Sequence, residues 1–111
     1  MTSTEQILQR YREAAVRNAS SDPSEANKGH DIVHACYKIL KETEEGRRGI
    51  ISLMTDESPY VRGWAAAHSL RWEPGMARHV LEEIRDSGGP GAFSAKWTLI
   101  EYDKQRLTFD Y

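Results

Sequence analysis

Residues 56–72 read D-E-S-P-Y-V-R-G-W-A-A-A-H-S-L-R-W and contain the clearest helical pattern of the chain. Beyond the turn that Pro59 closes, side chains that suit a packed face recur at helical spacing, at Val61, Trp64, Ala65, His68 and Trp72. The alanines at 65–67 favour helix and let a neighbouring helix approach closely. The stretch therefore predicts the central helix of an all-α fold.

Helical periodicity recurs on both sides of this stretch and predicts five further helices. Their predicted ranges are 2–19, 24–45, 47–55, 74–86 and 92–104. Ser3 with Gln6 predicts a capping box for the first helix, and Gly46 is predicted to end the second. Residues 105–111 alternate apolar and polar side chains, which predicts an extended tail that covers an apolar surface. Because no interior segment has the period of a strand, residues 1–111 are predicted to form one all-α domain.

Composition narrows the classes of protein to which the chain can belong. The 111 residues carry 15 basic and 17 acidic side chains, a formal charge of −2, whereas proteins that bind nucleic acid usually present a basic surface. Cys36 is the single cysteine, which suits a reducing compartment. No apolar run approaches the roughly 20 residues of a membrane span, and residues 1–10 lack the apolar core of a signal peptide. We therefore expect a cytoplasmic protein with no membrane segment, and the charge argues against a nucleic-acid partner.

The central stretch resembles a HEAT repeat. An apolar segment at 50–54 leads to Asp56, then to Pro59, to the dipeptide V-R at 61–62 and to A-A at 65–66. In HEAT repeats an aspartate in the turn and an arginine six positions later support each other, and Asp56 and Arg62 have that spacing. The carboxylate would lie at the partly positive end of the next helix, where the arginine can reach it. This resemblance implies a short right-handed stack of about three antiparallel helix pairs, of HEAT or armadillo type.

Two stretches on either side of the central helix, taken together with it, extend the resemblance over nearly the whole chain. The three stretches are A-N-K-G-H-D at 26–31, V-R-G-W-A-A-A-H-S-L at 61–70 and G-A-F-S-A-K-W-T-L-I-E-Y at 91–102. Together they look like a family of short bacterial HEAT-like proteins of unassigned function. The helix predicted at 74–86 departs from the repeat pattern, because no Asp and Val-Arg pair precedes the last helix. The family supplies no catalytic residue that could be transferred to this chain.

Candidate catalytic and metal-binding residues are few. His30 and His34 have the i, i+4 spacing of a metal pair, but the glutamate of an H-E-x-x-H site is missing, so both are predicted to lie on a solvated helix surface. Cys36 is predicted to be a buried, inert thiol, His68 a core or interface histidine, and His79 exposed. The glycine-rich connector at 88–91 is not followed by G-K-[ST]. We therefore predict no enzymatic activity, no metal and no cofactor.

Aromatic residues provide the stronger functional signal. Three tryptophans in a chain of this length exceed what a small core needs, and tryptophan, tyrosine and arginine dominate protein interfaces. In HEAT-like stacks the second helix of each pair lines the concave surface, which here implies the fourth and sixth helices. Two of the three tryptophans are expected in the core. The predicted contact surface comprises Tyr60, Trp64, Arg71, Lys96, Trp97 and Glu101.

These observations favour a non-catalytic protein–protein interaction module, monomeric or weakly dimeric. Its concrete version is a bacterial immunity protein that neutralises a cationic toxin, since the chain is slightly acidic. The alternative is a nucleic-acid-binding protein related to the HEAT-like alkylpurine DNA glycosylases, which would need a basic concave surface. A third hypothesis, action on a bound chromophore as in relatives of phycobilin lyases, is supported only by the type of repeat.

Overall fold

A computed structural model describes residues 2–108, and within that range the chain is all-helical, with no strand. The helices are α1 (Thr4–Arg17), α2 (Pro23–Leu40), α3 (Glu44–Ser52), α4 (Pro59–Ser69), α5 (Pro74–Ser87) and α6 (Ala92–Asp103). A short 3-10 helix, Leu53–Thr55, follows α3 directly. The prediction of an all-α fold is confirmed, and each of the six predicted helices exists.

The starts of the helices follow from side chains that accept hydrogen bonds from the first free backbone amides. Ser3 and Gln6 form the predicted capping box of α1, with bonds of 2.9 and 3.1 Å. Asp22 caps α2 and Ser58 caps α4, and a proline occupies the first turn of each of these helices. The sequence therefore sets the entry points of these helices locally, before any tertiary contact.

The boundary between α2 and α3 differs from the prediction. Helix α2 ends at Leu40 rather than near residue 45, and Thr43 caps α3 by accepting a 3.0 Å hydrogen bond from the Gly46 amide. Gly46 lies inside α3, where it is buried against the backbone of Leu40, and a Cβ there would collide with the Leu40 carbonyl. The glycine thus permits a close approach of two segments and does not end a helix.

One apolar cluster joins all six helices. Helix α1 packs mainly against α2, α5 packs against α6, and α4 contacts α1, α3, α5 and α6. Helix α1 turns Ile7, Tyr11, Ala14 and Ala15 into this cluster, where all four are buried. Ile39 of α2 is 56% exposed and lies outside the cluster.

The turn before α4 is held by an ion pair with α1 that the sequence did not suggest. Arg12 donates hydrogen bonds to both carboxylate oxygens of Asp56, at 2.8 and 3.3 Å, and the Ser58 amide donates a third at 2.9 Å. Arg62 does not contact this carboxylate through a hydrogen bond. It donates instead to the backbone carbonyl oxygens of Asp56 and Glu57, at 2.8 and 3.0 Å. Arg62 thus supports the turn by hydrogen bonds to backbone carbonyl oxygens, whereas the Asp56 carboxylate is bonded to Arg12.

The surroundings of Asp56 also affect its ionisation. Partial burial alone would raise the pKa of the Asp56 carboxyl, but the hydrogen bonds from Arg12 and Ser58 outweigh burial and hold that pKa below its ordinary value. The carboxylate is therefore charged and bonded at neutral pH.

We expect Asp56→Ala to lower the free energy of unfolding by roughly 2–3 kcal/mol, because it removes the carboxylate to which the half-buried Arg12 guanidinium donates its hydrogen bonds. Chemical denaturation at pH 7 measures the change. Glu57→Ala is the control, since the Glu57 side chain is 91% exposed and lies 3.8 Å from the same arginine. Equal losses in the two variants would contradict the role given to the Asp56 carboxylate.

Candidate functional site

A groove of about 680 Å³ opens where α1, α2, α4, α6 and the tail come together. The lining residues come mainly from the end of α1 and the two residues that follow it, from His30 of α2, from one face of α4 and from the first turns of α6. Its aromatic and polar lining residues are Asn18, His30, Tyr60, Trp64, Phe93, Ser94, Thr98 and Thr108. The groove therefore draws its walls from parts of the chain that are far apart in sequence.

The wall formed by Trp64 is fixed by hydrogen bonds. Its indole N–H donates to the side-chain oxygen of Asn18 at 3.2 Å, and the Asn18 amide group donates to the carbonyl oxygen of Ala26 at 2.9 Å. The His30 ring meets the Trp64 ring edge-on, with centroids 5.6 Å apart. Because three helices hold this ring, the wall is formed before any ligand arrives.

The lining of the groove is uncharged within residues 2–108, with no aspartate, glutamate, lysine or arginine among its residues. This neutrality contrasts with a chain in which 29% of residues are charged. The polar groups that remain are an amide, an imidazole and hydroxyls. A concave apolar surface with a few polar groups is typical of sites that bind uncharged or weakly polar ligands.

The tail contributes to the groove in the range that the structure describes. Leu107 is half-buried against the core, and both Leu107 and Thr108 line the groove. The predicted extended tail at 105–111 is thus described only to residue 108. Phe109 and Tyr111, the other two apolar residues of the predicted alternation, lie outside the described residues.

Helix α6 presents two aromatic rings outward. Phe93 is 74% exposed and Trp97 is 47% exposed, and the rings meet edge to face with centroids 6.1 Å apart. We call these two residues the aromatic pair. Trp64 and Trp72 are partly buried and pack against the core, without belonging to its fully buried residues. Phe93 belongs both to the aromatic pair and to the wall of the groove.

The six predicted contact residues are distributed over more than one surface. Tyr60 and Trp64 line the groove, and Trp97 lies beside it in the aromatic pair. Arg71 is exposed beyond the C-terminal end of α4, whereas Tyr60 lies in its first turn. Lys96 is exposed on α6, and Glu101 forms a 3.1 Å ion pair with Arg106. The groove contains none of these last three residues.

A buried cluster of aromatic and imidazole rings lies under α4. His68 is fully buried, its ring stacks on Tyr37 with centroids 3.9 Å apart, and its Nδ1 lies 2.6 Å from the Tyr11 hydroxyl. Burial, with a smaller contribution from His34, lowers the pKa of His68 from 6.5 to about 3. The prediction of a core histidine is confirmed, and a neutral ring without access to solvent is unsuited to act as a general base.

The histidines of α2 differ from the prediction of a solvated surface. His34 is buried beside Tyr37, and His30 is half-buried against Trp64. The face of α2 that carries His30 and His34 packs toward α1 and α4. The i, i+4 spacing of the two histidines does not indicate which way that face points. Among residues 2–108, no group of three or more histidine, cysteine, aspartate or glutamate side chains could hold a metal ion.

The remaining candidates behave as the sequence predicted. Cys36 is buried, and that burial raises the pKa of its thiol, so the reactive thiolate is disfavoured. His79 is exposed and lies 2.7 Å from Glu83 of the same helix. In the described part of the chain, no helix has both the length and the apolar character needed to cross a membrane.

Sequence reasoning missed Asn18, His30 and Phe93 as parts of the groove. The sequence connected His30 only with a metal pair and Asn18 with no motif, and only the packing of α1 and α2 brings the two residues to Trp64. Comparisons of the chain with protein families, with curated proteins and with solved structures found no match. A function can therefore be inferred only from the groove, the aromatic pair and the charges of the molecule.

Proposed function

We propose that the protein is a non-catalytic protein–protein interaction module, and that the aromatic pair is the centre of its contact surface. The observation that carries the proposal is the exposure of Phe93 and Trp97 side by side on one helix. Large exposed aromatic side chains that touch each other are unusual on a monomer and typical of interfaces.

The chemistry of the surroundings defines the partner. The aromatic pair adjoins the uncharged groove, so the matching surface should present apolar side chains without a buried charge. The proposal includes the HEAT-like stacking of the helices in three antiparallel pairs, with α4 and α6 toward the partner, and action in the cytoplasm. The resemblance of residues 50–66 to a HEAT repeat supports the stacking, and the single cysteine, Cys36, supports action in the cytoplasm.

A narrower version is an immunity protein that neutralises a cationic toxin. The net charge of −2 supports it, and so do the exposed carboxylates of α5, Glu83 and Asp86. This version predicts that the affinity for the partner falls with ionic strength, whereas contact through the aromatic pair alone predicts little change. Salt-dependent binding to DNA at low ionic strength would instead support the nucleic-acid alternative and contradict the proposal.

The test is affinity capture from lysate of the native host, read by mass spectrometry and followed by measurement of the dissociation constant. We expect Phe93→Ser with Trp97→Ser to weaken binding by roughly 100-fold or more, since hot-spot aromatics contribute about 2 kcal/mol or more each. The control is Val16→Ser with Ile39→Ser, which removes two apolar residues that are 45% and 56% exposed on other helices.

Three outcomes separate the possibilities. A partner that binds the wild type and the control but not the variant of the aromatic pair supports the proposal. A partner lost equally in both double variants places the contact elsewhere. A folded wild type that captures no protein contradicts the proposal.

A further inference from the structure

Gly63 lines the groove at a position where no close contact with a neighbouring segment requires a glycine. It lies in the interior of α4, where glycine costs about 1 kcal/mol relative to alanine. Among residues 2–108, a Cβ at this position would meet only the Ile84 Cδ1 atom, at 3.9 Å, which is an ordinary contact. By contrast, a Cβ at Gly29 or Gly46 would collide with backbone atoms of a neighbouring segment. Among residues 2–108, the space beside Gly63 is therefore open, although a side chain at this position would stabilise the helix through its higher helix propensity.

The walls around this space are suited to a flat, uncharged molecule. Trp64, Tyr60 and Phe93 supply aromatic surface, and the Trp64 ring is held in place by Asn18. Aromatic rings attract other rings in stacked or edge-to-face arrangements. A charged ligand would lose its hydration and find no opposite charge among the lining residues of the described chain, which is costly.

We propose that the groove binds a small, uncharged aromatic molecule, which lies against Gly63 of α4 between the walls formed by Trp64 and Phe93. The volume of about 680 Å³ falls within the range of roughly 300–1,000 Å³ that is usual for small-molecule sites. A single side chain inserted by a partner protein would fill only part of that volume. Asn18, Ser94 and Thr98 are lining residues whose polar side chains can exchange hydrogen bonds with the ligand.

The first experiment compares three probes that share one ring system and differ in charge: indole, tryptamine as the cation and indole-3-acetate as the anion. Binding is followed in ¹H–¹⁵N spectra of the full chain, in which the indole N–H of Trp64 reports from the wall of the groove. We expect saturable shifts with indole and at least tenfold weaker binding of both charged probes. Absence of saturable shifts with indole, or equal affinity for all three probes, would overturn the proposal.

The second experiment fills the groove. Gly63→Leu places a side chain in the open space, and it should weaken indole binding at least tenfold while it raises the melting temperature through better helix propensity. Gly75→Leu is the matched control, because Gly75 lies in helix α5, a Cβ there meets no atom within 4 Å, and the residue does not line the groove. The control should bind indole like the wild type.

Gly63→Ala guards against a failure of the larger variant to fold. It adds a single methyl group at the same place, so indole affinity should fall by less than in Gly63→Leu but in the same direction. Unchanged indole affinity in a folded Gly63→Leu variant would contradict the site. Since Trp97 does not line the groove, Trp97→Ser should leave indole binding intact, and this keeps the test independent of the proposed protein contact.

Discussion

The free energy of unfolding should fall by about 2 kcal/mol between pH 7 and pH 5 through His68 alone, and by about 4 kcal/mol on approach to pH 3. The pKa of His68 is about 3 in the folded protein and near its ordinary 6.5 in the unfolded chain. Below pH 6.5 the unfolded chain therefore gains a proton that the folded protein does not bind. The stabilisation is complete above pH 6.5 and is lost progressively as the pH falls toward 3.

The physical cause of this loss is the environment of the ring. His68 is enclosed by Tyr37, which stacks on it, by Tyr11, whose hydroxyl meets Nδ1, and by His34 nearby. An imidazolium in that place would lose its hydration, which costs far more than the burial of a neutral ring. Protonation therefore favours the unfolded chain over a charged core.

Urea denaturation at a series of pH values measures the effect. His68→Gln should give a curve of stability against pH that is flatter by about 2 kcal/mol between pH 7 and pH 5. His79→Gln removes an exposed histidine and should leave the curve of the wild type unchanged. If His68→Gln does not fold, NMR titration of the wild-type imidazole provides the same test. Identical slopes in the two variants, or a His68 resonance that titrates near pH 6.5 in the folded protein, would refute the assignment.

Gly29→Ala should lower the free energy of unfolding by roughly 3 kcal/mol, although the same change in an exposed helix is stabilising. The reason is the contact between α1 and α2. A Cβ at residue 29 would lie 2.5 Å from the amide nitrogen of Asn18 and 2.7 Å from the carbonyl oxygen of Ala14. Backbone atoms of a helix cannot move aside cheaply, so the two helices would have to separate.

Thermal and chemical denaturation of Gly29→Ala and Gly75→Ala test this statement as a pair. Gly75→Ala is expected to raise stability by up to about 1 kcal/mol, because nothing surrounds that position. The two variants thus make the same chemical change, but one is expected to lower the free energy of unfolding and the other to raise it. A gain of stability in both would mean that α1 and α2 do not approach as closely as described.

Gly29 also illustrates what sequence alone could predict. Periodicity identified each helix, and the capping box of Ser3 and Gln6 placed the start of α1 nearly correctly. The role of Gly46 was predicted wrongly, since it was expected to end α2, and the close contact at Gly29 was not predicted. Both allow close approaches between segments, and such contacts depend on the positions of neighbours that the sequence does not reveal.

The site could be predicted only in part, for a similar reason. Tyr60 and Trp64 were recognised because they share a helix with a strong pattern. Helix α6 carries apolar residues on several sides, so its period does not select the face that packs. Ala95 and Leu99 are buried, whereas Phe93 is exposed on the same helix. Asn18 and His30 reach the groove only through the packing of α1 and α2.

The pairing of helices that follow one another along the chain has a consequence for how the protein folds. Most of the contact between α1 and α2, between α4 and α5 and between α5 and α6 closes only short loops, which costs little chain entropy. Three side-chain links are different: Arg12 reaches Asp56 across 44 residues, Trp64 reaches Asn18 across 46, and Tyr11 reaches His68 across 57. The links through Asp56 and His68, which depend most on pH and charge, are therefore also among those that join neighbouring helical segments into a single cooperative structure.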